Sequence, residues 1–137
     1  MDAVYSGTLA LDIQPGDVIY EFFVPGPLPG LNEIVSEARR NRFAGAKQKK
    51  LWTDTVHWVV RAAKIPSVSA AHFHFEWREK SKLRNPDNIA AAKKFIFDGL
   101  QSAGVLENDG WSQVLGFTDS FRVDAKAPGV LVTVRVA

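Results

Sequence analysis

Hydrophobic residues recur most regularly along the chain between positions 89 and 103. Their spacing is that of one face of an α-helix, at Ile89, Ala92, Ile96, Leu100 and Ala103. Asn85 and Pro86 stand just before this face, where an N-cap and a first helical turn accept them. Gly104 follows it, where glycine commonly ends a helix. The pattern predicts an amphipathic helix that Asn85 caps and that stops at Gly104.

Shorter apolar runs predict β-strands elsewhere. The residues of Val68–Trp77 alternate, with Phe73, Phe75 and Trp77 on one face and His72, His74 and Glu76 on the other. The spacing of those three polar residues would suit zinc or iron, but a polar strand face is the commoner arrangement. Further strands are predicted at Val4–Ile13 and Val18–Val24, joined as a hairpin by turn residues 14–17, and at Val114–Phe117, Ser120–Asp124 and Val130–Val136.

Two more helices are predicted before the alternating strand. Asn32 is placed to cap a short helix that ends near Arg40, and Gly45 interrupts the pattern before a longer helix, Ala46–Ala63. The longer helix has an apolar face at Trp52, Val56, Val59 and Ala63 and a polar face at Lys47, Lys50, Asp54, His57 and Arg61. Pro25–Gly30 predicts a rigid connection into these helices.

The order of the predicted elements favours an α+β fold, because strands and helices are mixed without the steady alternation of a doubly wound sheet. At 137 residues the chain fits a single domain, residues 1–137, with a small mixed, mainly antiparallel sheet packed against helices. The absence of cysteine excludes disulfides and thiolate zinc sites, and no apolar run suffices for a membrane span or a signal sequence. We therefore expect a cytoplasmic protein that does not associate with membranes.

Positive charge is concentrated in one segment. The formal net charge is +2, yet the stretch from Arg39 to Lys50 holds six basic residues and no acidic one, so the remainder is net negative. The six are Arg39, Arg40, Arg42, Lys47, Lys49 and Lys50. A localised basic patch predicts a polyanionic partner whose phosphates it holds without reading bases; the alternative is a solvated, lysine-rich surface.

Acidic residues flank and line the predicted helix at residues 85–103. Asp87, Lys94 and Asp98 share one helical face, away from the apolar stripe. Converging carboxylates would hold Mg²⁺, and a lysine beside them could orient a water or neutralise a leaving oxyanion. Alternatively, Asp87 complements the helix dipole and Lys94 pairs with Asp98. Because the helix would be about 22 Å long, Asp109, beyond its end, joins Asp87 only if the chain runs back along it.

Several of these motifs, in this order, resemble the RusA family of Holliday-junction resolvases, especially its phage and prophage branch. They are Leu31-Asn32-Glu33, the basic run, Asn85-Pro86-Asp87-Asn88, Lys94 ahead of Asp98-Gly99-Leu100, Ala103-Gly104-Val105 and Asn108-Asp109-Gly110. The resemblance implies a small homodimeric α+β endonuclease, acting in DNA recombination and repair, that cuts four-way DNA junctions. It also implies Mg²⁺, with Mn²⁺ as a substitute, and no small-molecule cofactor.

Carried over by position, the resemblance places metal ligands at Asp87 and Asp109 and the assisting lysine at Lys94, with Lys93 as the alternative. Asn85 stands where the family pattern has an aspartate, and it would offer the metal a neutral oxygen. The six basic residues, together with Asn32 and Arg84, are the predicted DNA contacts. Two other functions stay open: a junction- or duplex-binding protein whose acidic site Asn85 has weakened or inactivated, and a structural dimer whose basic patch binds protein partners.

Overall fold

The computed structural model describes residues 10–137. These residues form one four-stranded sheet and four helices. In chain order they are β1 (Ile19–Pro25), α1 (Leu31–Arg40), α2 (Arg42–Ala62), β2 (Ala71–Glu79), α3 (Pro86–Ala90), α4 (Lys93–Ser102), β3 (Val114–Val123) and β4 (Gly129–Val136).

The sheet is mixed, with the strand order β1-β4-β2-β3. β4 lies between β1 and β2 and runs antiparallel to both, whereas β3 runs parallel to β2 at the edge. In the middle of this register, Phe75 of β2 lies opposite Val132 of β4 and Asp119 of β3. The predicted α+β class and the mixed, mainly antiparallel sheet are therefore confirmed for the part of the chain that is described.

The core lies between one face of the sheet and the helices α2 and α4. Phe97 of α4 meets the rings of Phe73 and Phe75 edge-on, with centroid distances of 5.3 and 5.7 Å. Val56 of α2 packs on the backbone of α4 at Gly99, where a β-carbon would overlap its side chain. The predicted apolar stripe is buried at Ile89, Ala92, Ile96 and Leu100, and Gly104 ends α4 with a positive φ of 78°. The predicted apolar face is thus confirmed at these four positions, and Ala103 is partly buried.

The predicted helix at residues 85–103 is instead two helices. α3 ends at Ala90 and α4 begins at Lys93, and between them the N–H of Ala92 donates to the carbonyl of Ile89 at 3.3 Å. This tighter turn keeps the apolar face pointing at the core across the break, so periodicity alone does not reveal it. Asn85 does occupy the N-cap position, but its side chain accepts no capping hydrogen bond.

The amino-terminal predictions need more correction. The predicted strand at residues 4–13 falls largely on residues 4–9, which lie outside the described part, and Leu11 and Asp12 form a turn. Residues 14–17 do form a turn, in which the N–H of Asp17 donates to the carbonyl of Gln14 at 3.1 Å. β1 nevertheless pairs with the last strand, β4, and not in a hairpin. The two short strands predicted at 114–117 and 120–124 are the single strand β3.

Both helices of the α1–α2 hairpin begin differently from the prediction. α1 begins at Leu31 after Gly30, so Asn32 is not its N-cap; the backbone N–H of Asn32 donates instead to Oδ1 of Asn88 at 2.9 Å. α2 begins at Arg42, capped by the Asn41 side chain, which accepts from the N–H of Ala44 at 2.8 Å. Gly45 lies inside α2, at a point where the two helices are close together. A β-carbon there would come within 3.2 Å of the α1 backbone at Ala38. Its role is close helix packing, not interruption.

Candidate functional site

The turn after α4 brings Asp109 back beside the side chain of Lys94 on the same helix. Nζ of Lys94 lies 3.3 Å from Oδ2 of Asp109 and 3.1 Å from Oδ1 of Asp98. The reversal begins at Gly104 and is closed by the N–H of Val105, which donates to the carbonyl of Leu100 at 2.9 Å. The sequence-predicted residues Lys94, Asp98 and Asp109 therefore form one cluster.

Lys94 is held in its protonated form in this cluster. Its pKa lies above the ordinary lysine value because the ammonium donates a hydrogen bond to Asp98, and the Asp109 carboxylate adds to the effect. Partial burial acts in the opposite direction and is outweighed. A lysine held protonated cannot accept a proton at neutral pH, but it can donate hydrogen bonds to a phosphate or to a leaving oxyanion.

Asp98 is the most buried member of the cluster, and its two oxygens differ. Oδ1 meets Lys94, whereas Oδ2 is buried, accepts no hydrogen bond and lies 3.9 Å from Nζ of Lys49. A buried carboxylate oxygen without a hydrogen-bond donor carries a desolvation cost that a nearby cation offsets. Asp98 therefore couples the cluster to the basic segment of α2.

Lys93 points to a different place. Its Nζ lies 2.8 Å from Oδ2 of Asp119 and 3.8 Å from the ring centroid of Phe117, on the helix-facing side of the sheet. The other oxygen of Asp119 accepts from the Trp77 indole N–H at 2.8 Å. Of the two candidate lysines, Lys94 is thus the one that contacts Asp109, and Lys93 ties α4 to β3.

Asp87 lines a separate polar pocket of about 410 Å³. It lies in the first turn of α3, and its Oδ1 accepts from the N–H of Asn88 at 2.9 Å. The pocket walls come from α1, from the loop before α3 and from α3 itself, and they are Leu31, Asn32, Glu33, Leu83, Arg84, Asn85, Asp87 and Asn88. Sequence-predicted residues Asn32, Arg84, Asn85 and Asp87 are therefore brought together here.

Arg84 holds the walls of this pocket in place. Its guanidinium forms a two-pronged pair with Glu79, at 2.8 Å for each bond, and also donates to the Leu28 carbonyl at 2.9 Å and to Glu33 at 3.0 Å. Hydrogen bonds to Glu79 raise the Arg84 pKa above its ordinary value. Burial pulls the Glu33 pKa up, but backbone N–H groups and Arg84 outweigh it, so the Glu33 pKa is lowered. The contacts of Arg84 are thus internal, and its predicted contact with DNA stays a prediction.

Gly30 is required by the same arrangement. A β-carbon at this position would come within 2.7 Å of Oδ1 of Asn88 and 2.9 Å of a guanidinium nitrogen of Arg84. Those two side chains reach α1 only because residue 30 has no side chain. The α1 start, the Arg84 loop and α3 therefore form one interlocked unit around the Asp87 pocket.

Metal-ligand geometry divides the acidic residues into two sets. Within residues 10–137, no three His, Asp or Glu side chains lie close enough together to hold a metal ion. Asp87 lines the pocket together with Asn85, and Asp109 lies in the cluster with Asp98 and Lys94. The donors in both sets are carboxylate and amide oxygens, which is the chemistry that Mg²⁺ prefers.

The polar face of β2 is built from hydrogen bonds with its neighbour strand. His74 is buried, with Nδ1 2.6 Å from the hydroxyl of Thr118 and Nε2 2.9 Å from that of Ser120. Burial lowers the His74 pKa below its ordinary value, although Asp119 and Glu76 act against this. The histidine thus serves the pairing of β2 with β3.

The basic segment surrounds the corner between α1 and α2. Arg39 and Arg40 are in the last turn of α1, Arg42 is the first residue of α2, and Lys47, Lys49 and Lys50 follow on α2. Nearby acids engage part of this charge, with Glu37 3.7 Å from Arg40 and Asp54 2.8 Å from Lys50. A groove of about 870 Å³ lies between the two helices and reaches from Asn32 and Glu33 to Arg40, Phe43 and Lys47. Since Asn32 and Glu33 also line the Asp87 pocket, the basic corner and the acidic pocket share a wall.

Two features of this region were missed from the sequence. The side chain of Asn88 caps α1 from another helix, and no local pattern signals a cap supplied across 56 residues. Phe43 is an aromatic residue within a basic run and is 74% exposed. The basic residues around it in the sequence are the signal that could have predicted its exposure.

No protein-family model matches this chain, and no curated protein matches it either. None of the helices within residues 10–137 combines the length and the apolar character needed to cross a bilayer.

Proposed function

We propose that this protein is a Mg²⁺-dependent, structure-selective endonuclease that cuts four-way DNA junctions as a homodimer. The return of Asp109 to Lys94 carries the proposal. It joins the acid of the late turn to the lysine that precedes Asp98, two separate motif positions at which a nuclease of the RusA type has its functional groups. A far placement of Asp109 at the C-terminal end of α4 would have left the two without a common function.

The donor set supports a magnesium site. Asp87 and Asn85 in the pocket, and separately Asp109 in the Lys94 cluster, are the residues that would offer oxygen ligands to Mg²⁺. When bound, the ion would supply Lewis-acid stabilisation of the charge that develops on the phosphate. Lys94, held protonated by Asp98 and Asp109, would donate a hydrogen bond to a phosphate oxygen or to the leaving oxygen. Arg84 and Asn88 would keep the pocket walls in position.

The basic corner supports binding of a DNA backbone. Its arginines and lysines would neutralise phosphates, a sequence-independent interaction that suits an enzyme selecting shape. The shared wall at Asn32 and Glu33 would let a strand held by the corner continue to the Asp87 pocket. A homodimer would supply two such sites related by two-fold symmetry, one for each of two opposed junction strands.

Cleavage of a synthetic four-way junction with Mg²⁺ tests the proposal. We expect paired, symmetric cuts near the branch and no cutting of a linear duplex with the same arm sequence. Asp87→Asn and Asp109→Asn should each lose cleavage and keep junction binding. Asp124→Asn is the matched control, because that carboxylate lies just after β3 and pairs with Arg122. Equal cutting by the Asp87→Asn and control variants would remove Asp87 from the mechanism.

A second candidate, a junction-binding protein without nuclease activity, is favoured by one residue. Asn85 supplies an amide where a third carboxylate would strengthen a metal site, and the described residues contain no three-acid group. This candidate predicts tight junction binding with no cleavage under Mg²⁺ or Mn²⁺, and the appearance of cleavage in Asn85→Asp. Cleavage by the unaltered chain would exclude it.

A further inference from the structure

Phe43 is a large aromatic side chain held in solvent at the corner between α1 and α2. It is 74% exposed, and it stands in the first turn of α2, far along the helix from the buried Val56 and Val60. Single exposed hydrophobic residues are common on protein surfaces and need no special explanation. The surroundings of this one are what distinguish it.

Those surroundings are strongly positive. Arg39 and Arg42 flank the corner, and within the described residues neither forms an ion pair. Cζ of Arg42 lies 5.3 Å from the centroid of the Phe43 ring. The first turn of α2, a helix of 21 residues, is capped by the neutral Asn41 side chain and contains no acidic residue, so no negative charge offsets the positive end of its dipole there. An aromatic ring among unpaired arginines is the combination that single-stranded nucleic acid binds, by stacking of bases and neutralisation of phosphates.

The position of Phe43 relative to the acidic pocket fits the same occupant. Phe43 lines the groove that shares Asn32 and Glu33 with the Asp87 pocket. α1 separates the two ends of the groove, and its ten residues span about 15 Å. Along one strand of a duplex that length corresponds to about four nucleotides. One strand could therefore contact both the corner and the pocket.

We propose that Phe43 stacks on an unpaired base at the branch point of the DNA, while Arg39 and Arg42 hold the phosphates beside it. The inference rests on the proposed function, because it assigns the part of the protein that recognises branching. Bases at a branch point are less firmly stacked and paired than those in a continuous duplex, so a ring can displace one at low cost. Phe43 thereby favours a junction over linear DNA, which the arginines alone do not distinguish.

Phe43→Ala, Phe43→Trp and Trp58→Ala form a matched set of variants for the test. Trp58 is also an exposed aromatic residue of α2, at 67%, but it lies four turns away from the arginine corner. The measurements are affinity for a four-way junction, affinity for a linear duplex, and the fluorescence of an adenine analogue placed at the branch. Because all three changes are at exposed positions, thermal unfolding should be nearly unchanged and serves as the folding check.

We expect Phe43→Ala to lower junction affinity about tenfold, to leave duplex affinity unchanged and to abolish the fluorescence rise that reports an unstacked base. Phe43→Trp should retain both properties, and Trp58→Ala should resemble the unaltered protein. Unchanged junction affinity and fluorescence in Phe43→Ala would overturn the inference while leaving cleavage, and so the proposed function, intact. An unaltered protein that neither cuts nor prefers a junction would overturn the proposed function itself, and the inference with it.

Discussion

Nζ of Lys94 lies 3.3 Å from Oδ2 of Asp109, although the two residues are 15 positions apart in the chain. The chain reaches this contact by reversing at Gly104 and running back along α4. The reversal places an acid of the late turn beside a helix whose own acid, Asp98, already binds the same ammonium. Lys94 is therefore the link between two parts of the candidate site.

Lys94→Met should reduce single-turnover junction cleavage about a hundredfold or more and leave junction affinity within a few-fold. The change removes a cation that would stabilise charge on the reacting phosphate, whereas the basic corner, which holds the DNA, is untouched. Lys126→Met, in the exposed turn between β3 and β4, is the control for loss of one positive charge. Cleavage by Lys94→Met at the control rate would contradict a role for the ammonium.

Arg84→Met should lower the free energy of unfolding by about 3 kcal/mol. Its side chain is only 20% exposed and binds Glu79, Glu33 and a carbonyl, so its loss leaves a largely buried carboxylate unpaired. Arg84→Lys should recover only part of this, because an ammonium lacks the planar two-pronged geometry. Urea unfolding measures both changes.

Arg40→Met is the matched control for Arg84. Its side chain is 70% exposed and has one ion pair, at 3.7 Å to Glu37, so the change should cost less than about 0.5 kcal/mol. Equal losses for Arg84→Met and Arg40→Met would show that the internal contacts of Arg84 do not stabilise the fold.

The contrast between Leu100 and Arg84 shows how far the sequence can be interpreted. The burial of Leu100 follows from helical periodicity, which depends only on neighbours within a few residues. The carbonyl that Arg84 binds belongs to Leu28, 56 positions away, and no local pattern names such a partner. For the same reason the strands near residues 18–24, 68–77 and 130–136 follow from local patterns, whereas their order in the sheet does not. The parallel pairing of β3 with β2 depends on the path taken after Asp109.

The candidate site, too, could be predicted only where it depends on residues that are close together in the sequence. Periodicity placed Asp87, Lys94 and Asp98 on one face of a single helix, and the pairing of Lys94 with Asp98 is present. The break between α3 and α4 was not visible in that pattern, since both helices keep their apolar side toward the core. Asp87 consequently lies in a pocket formed with α1, which depends on the close approach of Gly30 to Asn88.

Gly99→Ala should destabilise the protein by about 1–3 kcal/mol, because the new methyl group would overlap the Val56 side chain. Val56→Ala also destabilises by leaving a cavity, but it makes room for the methyl group. The double variant should therefore be more stable than the sum of the two single losses predicts. The four free energies of unfolding, from urea denaturation, measure this coupling.

Gly104→Ala is the control for that cycle. Nothing lies within 4 Å of its hypothetical β-carbon, so its cost should come from the positive φ alone, about 1 kcal/mol. This cost should simply add to that of Val56→Ala. Additivity in the Gly99 cycle as well would show that α2 and α4 move apart freely to accept the methyl group.

The stability of the protein should decrease as the pH falls from about 7.5 to about 5.5, and His74 should be a principal cause. Burial lowers the His74 pKa in the folded protein below the ordinary value of 6.5. The unfolded chain therefore takes up this proton first, and the stability present above pH 6.5 is lost as the pH falls toward the folded pKa. One such proton gives a slope of at most about 1.4 kcal/mol per pH unit. Glu33 does not contribute in this pH range. Its pKa in the folded protein is lowered from the ordinary value of 4.5, so the stability that it adds is lost only below that pH.

Urea midpoints measured across this pH range for His74→Gln and His57→Gln test the assignment. Glutamine at position 74 can still bond the hydroxyls of Thr118 and Ser120, but it takes up no proton, so the pH dependence should become markedly flatter. His57 lies at the surface of the helical layer and bonds Ser102 at 2.9 Å, and it serves as the control for removal of a histidine. A pH dependence unchanged in His74→Gln and reduced in His57→Gln would assign the effect to the helical layer and not to the pairing of β2 with β3.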